Sequence, residues 1–218
     1  MARQLTDTHP EYKNNETRWE FYLRSYMGGE DYINGAYLTR YISEDKDEYN
    51  RRLDLTPMDN HCSNIVHIYS SFLWRVPPTR AYNSLQNNPT LDAFIKDCDL
   101  DGRSFNAFMR EAQVWSSVYG GVWLMVDKPK STAGTRAEEL EQDIRPYVNM
   151  FTPENVFDWK YERSASGRHK LTYLKIRESV DRVDETLTES YFRVWTEDTV
   201  QLFKSSNDSE KLLETINN

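Results

Sequence analysis

The hydrophobic pattern of this sequence changes its period once, near Gly120-Gly121. Before this point apolar residues recur at helical spacing, and after it they stand in short runs that are typical of strands. Helices in one half and strands in the other indicate an α+β fold, because a doubly wound sheet would alternate the two along the chain. We therefore predict a helical N-terminal region, residues 1–118, followed by a mainly antiparallel β meander, residues 119–204.

The helices of the first region are predicted from their start signals and apolar stripes. Pro10 suits the first position of a helix, and Ser43 can cap a short polar helix. Thr56-Pro57 and Asn88-Pro89 each give a cap followed by proline, and Ser104 can cap the last helix. The stripes predicted to face the core are Cys62, Ile65, Val66, Tyr69, Phe72 and Leu73; Leu91, Phe94, Ile95 and Cys98; and Phe105, Phe108, Met109, Ala112 and Trp115.

The strands of the second region are predicted from short apolar runs. These runs cover residues 122–126, 147–151, 171–177, 191–195 and 200–203. The last two are separated by Glu197-Asp198, which favours a hairpin. Residues 205–218 are predicted to be the start of a further helix, so the chain looks truncated within that helix.

Charge and cysteine content limit the classes of function. The formal net charge is −8, from 35 acidic and 27 basic residues, which predicts weak, sequence-independent DNA binding at most. Cys62 and Cys98 stand far apart, so we expect two buried, reduced thiols rather than a disulfide framework. No apolar run approaches about 20 residues, which favours a protein made in the cytoplasm without a membrane partner.

One segment has the pattern of a calcium-binding loop, but the pattern is incomplete. Residues 97–102 read D-x-D-x-D-G, as in the first half of an EF-hand loop. The twelfth position, where calcium needs a bidentate Glu, is Phe108. His61 and His67 are six residues apart and would point in different directions from one helix. We predict a turn at residues 97–102 and neither a metal site nor a cofactor.

The sequence contains none of the common catalytic motifs, so we predict that the protein is not an enzyme. Acidic residues are plentiful, which leaves a metal-dependent phosphodiesterase or nuclease as an alternative. Tyr32, Tyr37 and Tyr41 lie on an irregular segment, where tyrosines can pack on their own domain or form a protein interface. These three and Tyr191, in the strand region, are the candidate interface residues.

Several blocks, in order from about residue 9 to residue 160, resemble the portal proteins of tailed bacteriophages. The matching blocks are His9-Pro10-Glu11-Tyr12 to Arg18-Trp19; Tyr37-Leu38, Glu48-Tyr49 and Arg51-Arg52; the Thr56-Pro57 helix up to Phe72 and Pro77-Pro78; residues 99–105; residues 119–129; Arg145-Pro146-Tyr147; and residues 151–156 with Asp158-Trp159.

The resemblance implies a structural subunit of a ring, usually of twelve copies, at one capsid vertex of the virion. Portal rings are assembled in the host cytoplasm and form the channel for DNA packaging and ejection. The implied partners are other portal subunits, capsid and scaffolding proteins, the terminase packaging motor, a head-tail adaptor and double-stranded DNA. Within the family pattern the chain covers the wing, so we expect a fragment that lacks stem, clip, tunnel loop and crown. Another minor head protein of a phage is a further alternative.

Overall fold

The computed structural model describes residues 5–57, 59–129, 134–182, 188–206 and 209–217 and confirms the α+β class. The helices are α1 (Pro10–Met27), α2 (Gly29–Asn34), α3 (Lys46–Leu55), α4 (His61–Leu73), α5 (Pro89–Lys96), α6 (Phe105–Tyr119) and α7 (Arg136–Glu141). The strands are β1 (Trp123–Asp127), β2 (Tyr147–Phe151), β3 (Val156–Arg163), β4 (His169–Arg182), β5 (Thr188–Thr196), β6 (Thr199–Ser206) and β7 (Ser209–Asn217).

The chain divides into two compact units, and the division differs from the predicted one. One unit combines Met1–Trp19 with Thr152–Asn218, and the other is Glu20–Phe151. The predicted boundary at residues 118/119 is moved because, among the strands that the structure describes, β1 and β2 form a sheet of their own and belong to the helical unit. Val148 on β2 is buried in the core of that unit, which explains why the first two strands stay with the helices.

The helical unit is built around a small aromatic core. Cys98, Phe108 and Val148 are buried together, and Phe94, Phe105, Met109 and Met150 pack against them. The predicted caps at the start of α5 and α6 are confirmed, since the side chains of Asn88 and Ser104 accept hydrogen bonds from backbone amides of the first turn. Helix α6 ends at Gly120, whose left-handed conformation (φ 84°) favours glycine.

Two predicted helix starts are wrong, and local hydrogen bonds give the reason. Thr56 closes α3 instead of opening α4, because its amide and its hydroxyl both donate to the carbonyl of Arg52. The cap of α4 is Asn60, whose side chain accepts from the amide of Ser63. Helix α3 begins after Asp45, which forms a capping box with Glu48, and not after Ser43.

The second unit contains an antiparallel meander in which β3, β4, β5, β6 and β7 lie side by side in chain order. The hairpin predicted at Glu197-Asp198 is confirmed, with Trp195 opposite Val200. Leu5, Phe192 and Val194 form the core, with Phe157, Tyr173 and Phe203 packed against it. Leu5 therefore brings the N-terminal segment onto the face of the sheet that carries Phe192 and Val194.

The helix predicted at the C-terminal end is wrong. Residues 209–217 form β7, which pairs with β6 from Thr199 opposite Asn217 to Ser206 opposite Ser209. Without β7, the backbone N–H and C=O groups along one side of β6 would lack strand partners, and pairing them outweighs a weak local preference for helix. Between the predicted strands 171–177 and 191–195 the sequence suggests an acidic linker, Asp181 to Glu189, of which residues 183–187 lie outside the described residues.

Candidate interaction surface

Helix α4 contacts the rest of its unit through a narrow stripe. It packs against α6. Ser70 is buried, and Ser63, Val66 and Trp74 are half-buried. These positions are three or four residues apart and therefore lie on one side of the helix. On another side of α4, the apolar side chains from Ile65 to Leu73 are exposed.

The solvent side of α4 is apolar. The exposed fractions are 53% for Ile65, 55% for Ile68, 65% for Tyr69, 71% for Phe72, 65% for Leu73 and 74% for Val76. With 100° between successive residues, the five of these side chains that lie on α4 span an arc of about 140°, and Val76 follows shortly after the end of the helix. We call this set the α4 patch. It corrects the sequence interpretation, which placed Ile65, Tyr69, Phe72 and Leu73 in the core. Cys62 of the same predicted stripe is exposed as well, and of the two cysteines only Cys98 is buried.

The α4 patch is large and carries no formal charge. A fully exposed aromatic side chain has about 150–250 Å² of surface and aliphatic ones have less, so the six residues present on the order of 700 Å². Monomeric proteins rarely expose a contiguous apolar patch above a few hundred Å². Between His61 and Leu73 the sequence contains no Asp, Glu, Lys or Arg, although 28% of the whole chain is charged.

The structure brings the three loop tyrosines together. Tyr32 and Tyr37 are half-buried with ring centroids 5.1 Å apart, and Phe21 meets the Tyr37 ring edge-on at 4.8 Å. Tyr41 is 65% exposed. Together with Leu38 and other neighbours they line an open cavity of about 340 Å³, which we call the tyrosine pocket. Tyr32 and Tyr37 thus pack on their own unit, and Tyr41 presents its ring to solvent.

An ion pair fixes the rim of the tyrosine pocket. The guanidinium of Arg52 lies 4.6 Å from the Tyr41 ring centroid and donates to both carboxylate oxygens of Glu44, at 2.7 Å each. The hydrogen bond from Arg52 holds the pKa of Glu44 below its usual value. Arg52 is thereby neutralised where it lines the pocket, so the pocket adds no net charge to the surface.

Tyr191 belongs to the other compact unit. It lies on β5 in the other unit, half-buried, and its hydroxyl donates to Glu189 Oε2 at 3.3 Å. As candidate interface residues, Tyr32, Tyr37, Tyr41 and Tyr191 stay a prediction. The sequence did not single out the solvent face of α4, because an exposed apolar stripe and a buried one have the same spacing.

The calcium-like segment forms a tight bend between α5 and α6. Asp97 Oδ1 accepts from the amide of Gly102 at 2.8 Å. Asp99 Oδ1 accepts from the amides of Asp101 and Arg103, both at 3.1 Å. Leu100 and Gly102 have positive φ angles of 68° and 89°. One carboxylate oxygen each of Asp97 and Asp99 is thus engaged by backbone amides.

We expect no saturable calcium binding in isothermal titration calorimetry at millimolar calcium. The physical reasons are the amide contacts of Asp97 and Asp99 and the apolar Phe108 at the position of the bidentate ligand. A one-to-one isotherm that disappears in Asp99→Asn would contradict this expectation.

Asp97 should make stability depend on pH in the acid range. The amide of Gly102, followed by Arg145, holds the pKa of Asp97 below its usual value. A depressed pKa stabilises the fold above the unfolded pKa of about 3.9, and this contribution is lost as pH falls through the folded value. In urea titrations, the native chain should therefore have a higher free energy of unfolding than Asp97→Asn. This difference should be constant above about pH 5 and shrink below about pH 4. Asp101→Asn is the matched control, and a difference independent of pH would contradict the assignment.

The other candidate ligands are dispersed. His67 Nε2 lies 3.1 Å from the Tyr26 hydroxyl. Across the described ranges, no three or more His, Cys, Asp or Glu side chains are grouped so that they could hold a metal ion. In the same ranges, none of the helices combines the length and the apolar character needed to cross a membrane. Comparison with protein families and with curated proteins finds no match to this chain.

Proposed function

We propose that this chain is a structural subunit of a bacteriophage portal ring at the capsid vertex, where it forms part of the wing. The observation that carries the proposal is the α4 patch. A protein that acted alone would expose about 700 Å² of uncharged apolar surface to water, at a cost in solubility. A subunit of an assembly covers such a surface with its neighbour.

The sequence resemblance supports the same proposal. Its blocks run in the family order through α1, α4, the bend before α6, and strands β1 to β3. The resemblance also gives the ring as the form of the assembly and the other portal subunits as the first partners. Capsid and scaffolding proteins, the terminase motor and the head-tail adaptor follow as further partners in the virion.

The charge balance fits a channel component better than a protein that grips DNA. The 35 acidic residues outnumber the 27 basic ones, so the chain can neutralise few phosphates. Double-stranded DNA can move past a surface of this kind without being held. The proposal therefore assigns the protein a structural role and no chemical reaction.

The proposal is tested in virus particles from the natural source of the gene. An antibody raised against the chain is applied to purified, gently opened particles and located with gold in the electron microscope. We expect label at one vertex, the one that carries the tail. Absence of the chain from the particles, or label spread over the whole shell, would contradict the proposal.

A further inference from the structure

We propose that the α4 patch of one copy docks on the tyrosine pocket of a second copy. The inference rests on the proposed function, because it names the surfaces through which neighbouring subunits meet. Both surfaces lie within the unit Glu20–Phe151, so their geometry comes from one compact body.

The first argument for a second copy is area. The α4 patch presents on the order of 700 Å². A stable protein–protein contact buries about 800 Å² on each partner. The patch alone nearly reaches that value, and the polar rim around it, which includes Asn64 and Arg75, would supply the rest. A contact of this size needs a folded partner and is larger than a small molecule would cover.

The second argument is charge. Copies of a chain with net charge −8 repel one another, so they can approach closely only through neutral surfaces. The α4 patch is such a surface. The tyrosine pocket is another, because Glu44 neutralises Arg52 at its rim.

The third argument is that the two surfaces differ in shape. The α4 patch is a ridge along a helix, with Phe72 as its most exposed aromatic side chain. The tyrosine pocket is a concave site of about 340 Å³ that has room for a protruding side chain. A contact between two different surfaces of the same chain is heterologous, and its repetition gives a ring if the rotation between copies closes and an open filament if it does not. Pairing of α4 with α4 would instead give a two-fold dimer and leave the pocket empty.

The test uses two variants that each disable one surface. Phe72→Asp places a charge on the ridge, and Tyr41→Asp removes the exposed ring from the rim of the pocket. Both side chains are mostly exposed, so the variants should fold, and circular dichroism checks this. Val126→Asp, at an apolar side chain with 67% exposure on β1, is the control for the ridge. Tyr41→Phe is the control for the pocket.

Association is followed by sedimentation velocity up to millimolar concentration and by native mass spectrometry with one variant isotopically labelled. We expect the native chain and both controls to associate with increasing concentration. Each disabled variant alone should bind itself at least about 30-fold more weakly, as when an interface hot spot is lost. In an equimolar mixture, the intact ridge of Tyr41→Asp can meet the intact pocket of Phe72→Asp. The two variants should therefore form a mixed dimer with native affinity and no larger assembly.

Three results would overturn the inference. Native self-association of Tyr41→Asp alone would mean that the α4 patch pairs with itself. Native self-association of Phe72→Asp would mean that the patch is not used. A native chain that is monomeric at every concentration would exclude the contact. The vertex-labelling experiment separates the two proposals, because label at the vertex with any of these results leaves the proposed function standing. If the mixed dimer forms but the vertex is not labelled, the proposed contact stands and the proposed function does not.

Discussion

Phe108→Ala is expected to lower the free energy of unfolding of the helical unit by about 3–5 kcal/mol, the range for deleting a buried aromatic side chain. Phe108 is 3% exposed on α6 and lies at the centre of the cluster with Cys98 and Val148. Alanine would leave a cavity between α6 and β2 that the surrounding side chains cannot fill completely. Urea unfolding followed by circular dichroism measures the loss.

Phe72→Ala is the matched control, because it makes the same chemical change at a side chain that is 71% exposed. At low micromolar concentration, where copies are apart, it should alter the free energy of unfolding by less than about 0.5 kcal/mol. An equal loss in both variants would mean that the α4 patch is covered within the single chain. That result would remove the main argument for an assembly.

Arg145→Met is expected to lower the free energy of unfolding by about 1–3 kcal/mol, the range for leaving a partly buried hydrogen-bonding group without its partner. The Arg145 side chain is 7% exposed. It donates to the carbonyl oxygen of Asp97, to Asp97 Oδ2 at 2.6 Å and to Asp143 Oδ1 at 2.8 Å. Methionine fills a similar volume but leaves the Asp97 carbonyl and carboxylate without these donors.

Arg145→Lys is the control, because it keeps the positive charge but cannot donate to several acceptors in one plane. In the same urea titrations, we expect the free energy of unfolding of Arg145→Lys to lie between that of the native chain and that of Arg145→Met. In the double variant Arg145→Met/Asp97→Asn, the free energy of unfolding should fall by less than the sum of the two single decreases, because each single variant already removes the interaction between the two residues. Additive losses would mean that Arg145 stabilises the unit without Asp97.

The parts of the fold that follow local rules could be predicted from the sequence. Asn88-Pro89 and Ser104 start α5 and α6 where their side chains can cap the first turn. The run 147–151 forms β2 with the predicted bounds. These signals act within a few residues, so distant parts of the chain cannot change their outcome.

The remaining features depend on partners that are distant in sequence. Strand β7 exists because β6 offers a free side, and residues 209–217 by themselves do not encode that. The same holds for β3, which the sequence analysis did not identify and which pairs with β4. Phe94 and Trp115 were expected to be core residues but are half-buried, since only the tertiary arrangement decides how far a stripe is covered.

The candidate site was predictable only in part. The sequence selected Tyr32, Tyr37 and Tyr41 as possible interface residues, and the structure places these three around one pocket. The α4 patch was assigned to the core, because periodicity identifies an apolar face but not what the face meets. Its exposure is a property of the fold: α6 contacts α4 along the stripe of Val66 and Ser70, and the wider apolar arc is left uncovered.

The central claim, that a second copy covers the α4 patch, is tested most directly by the alkylation rate of Cys62. Cys62 is exposed on α4 between the positions of Tyr69 and Leu73 around the helix axis. Cys98 should not react, because it is fully buried and burial raises the pKa of its thiol. We predict that the rate constant with a maleimide falls as protein concentration rises, and that this fall is absent in Phe72→Asp. A rate constant that does not depend on concentration in the native chain would contradict the account.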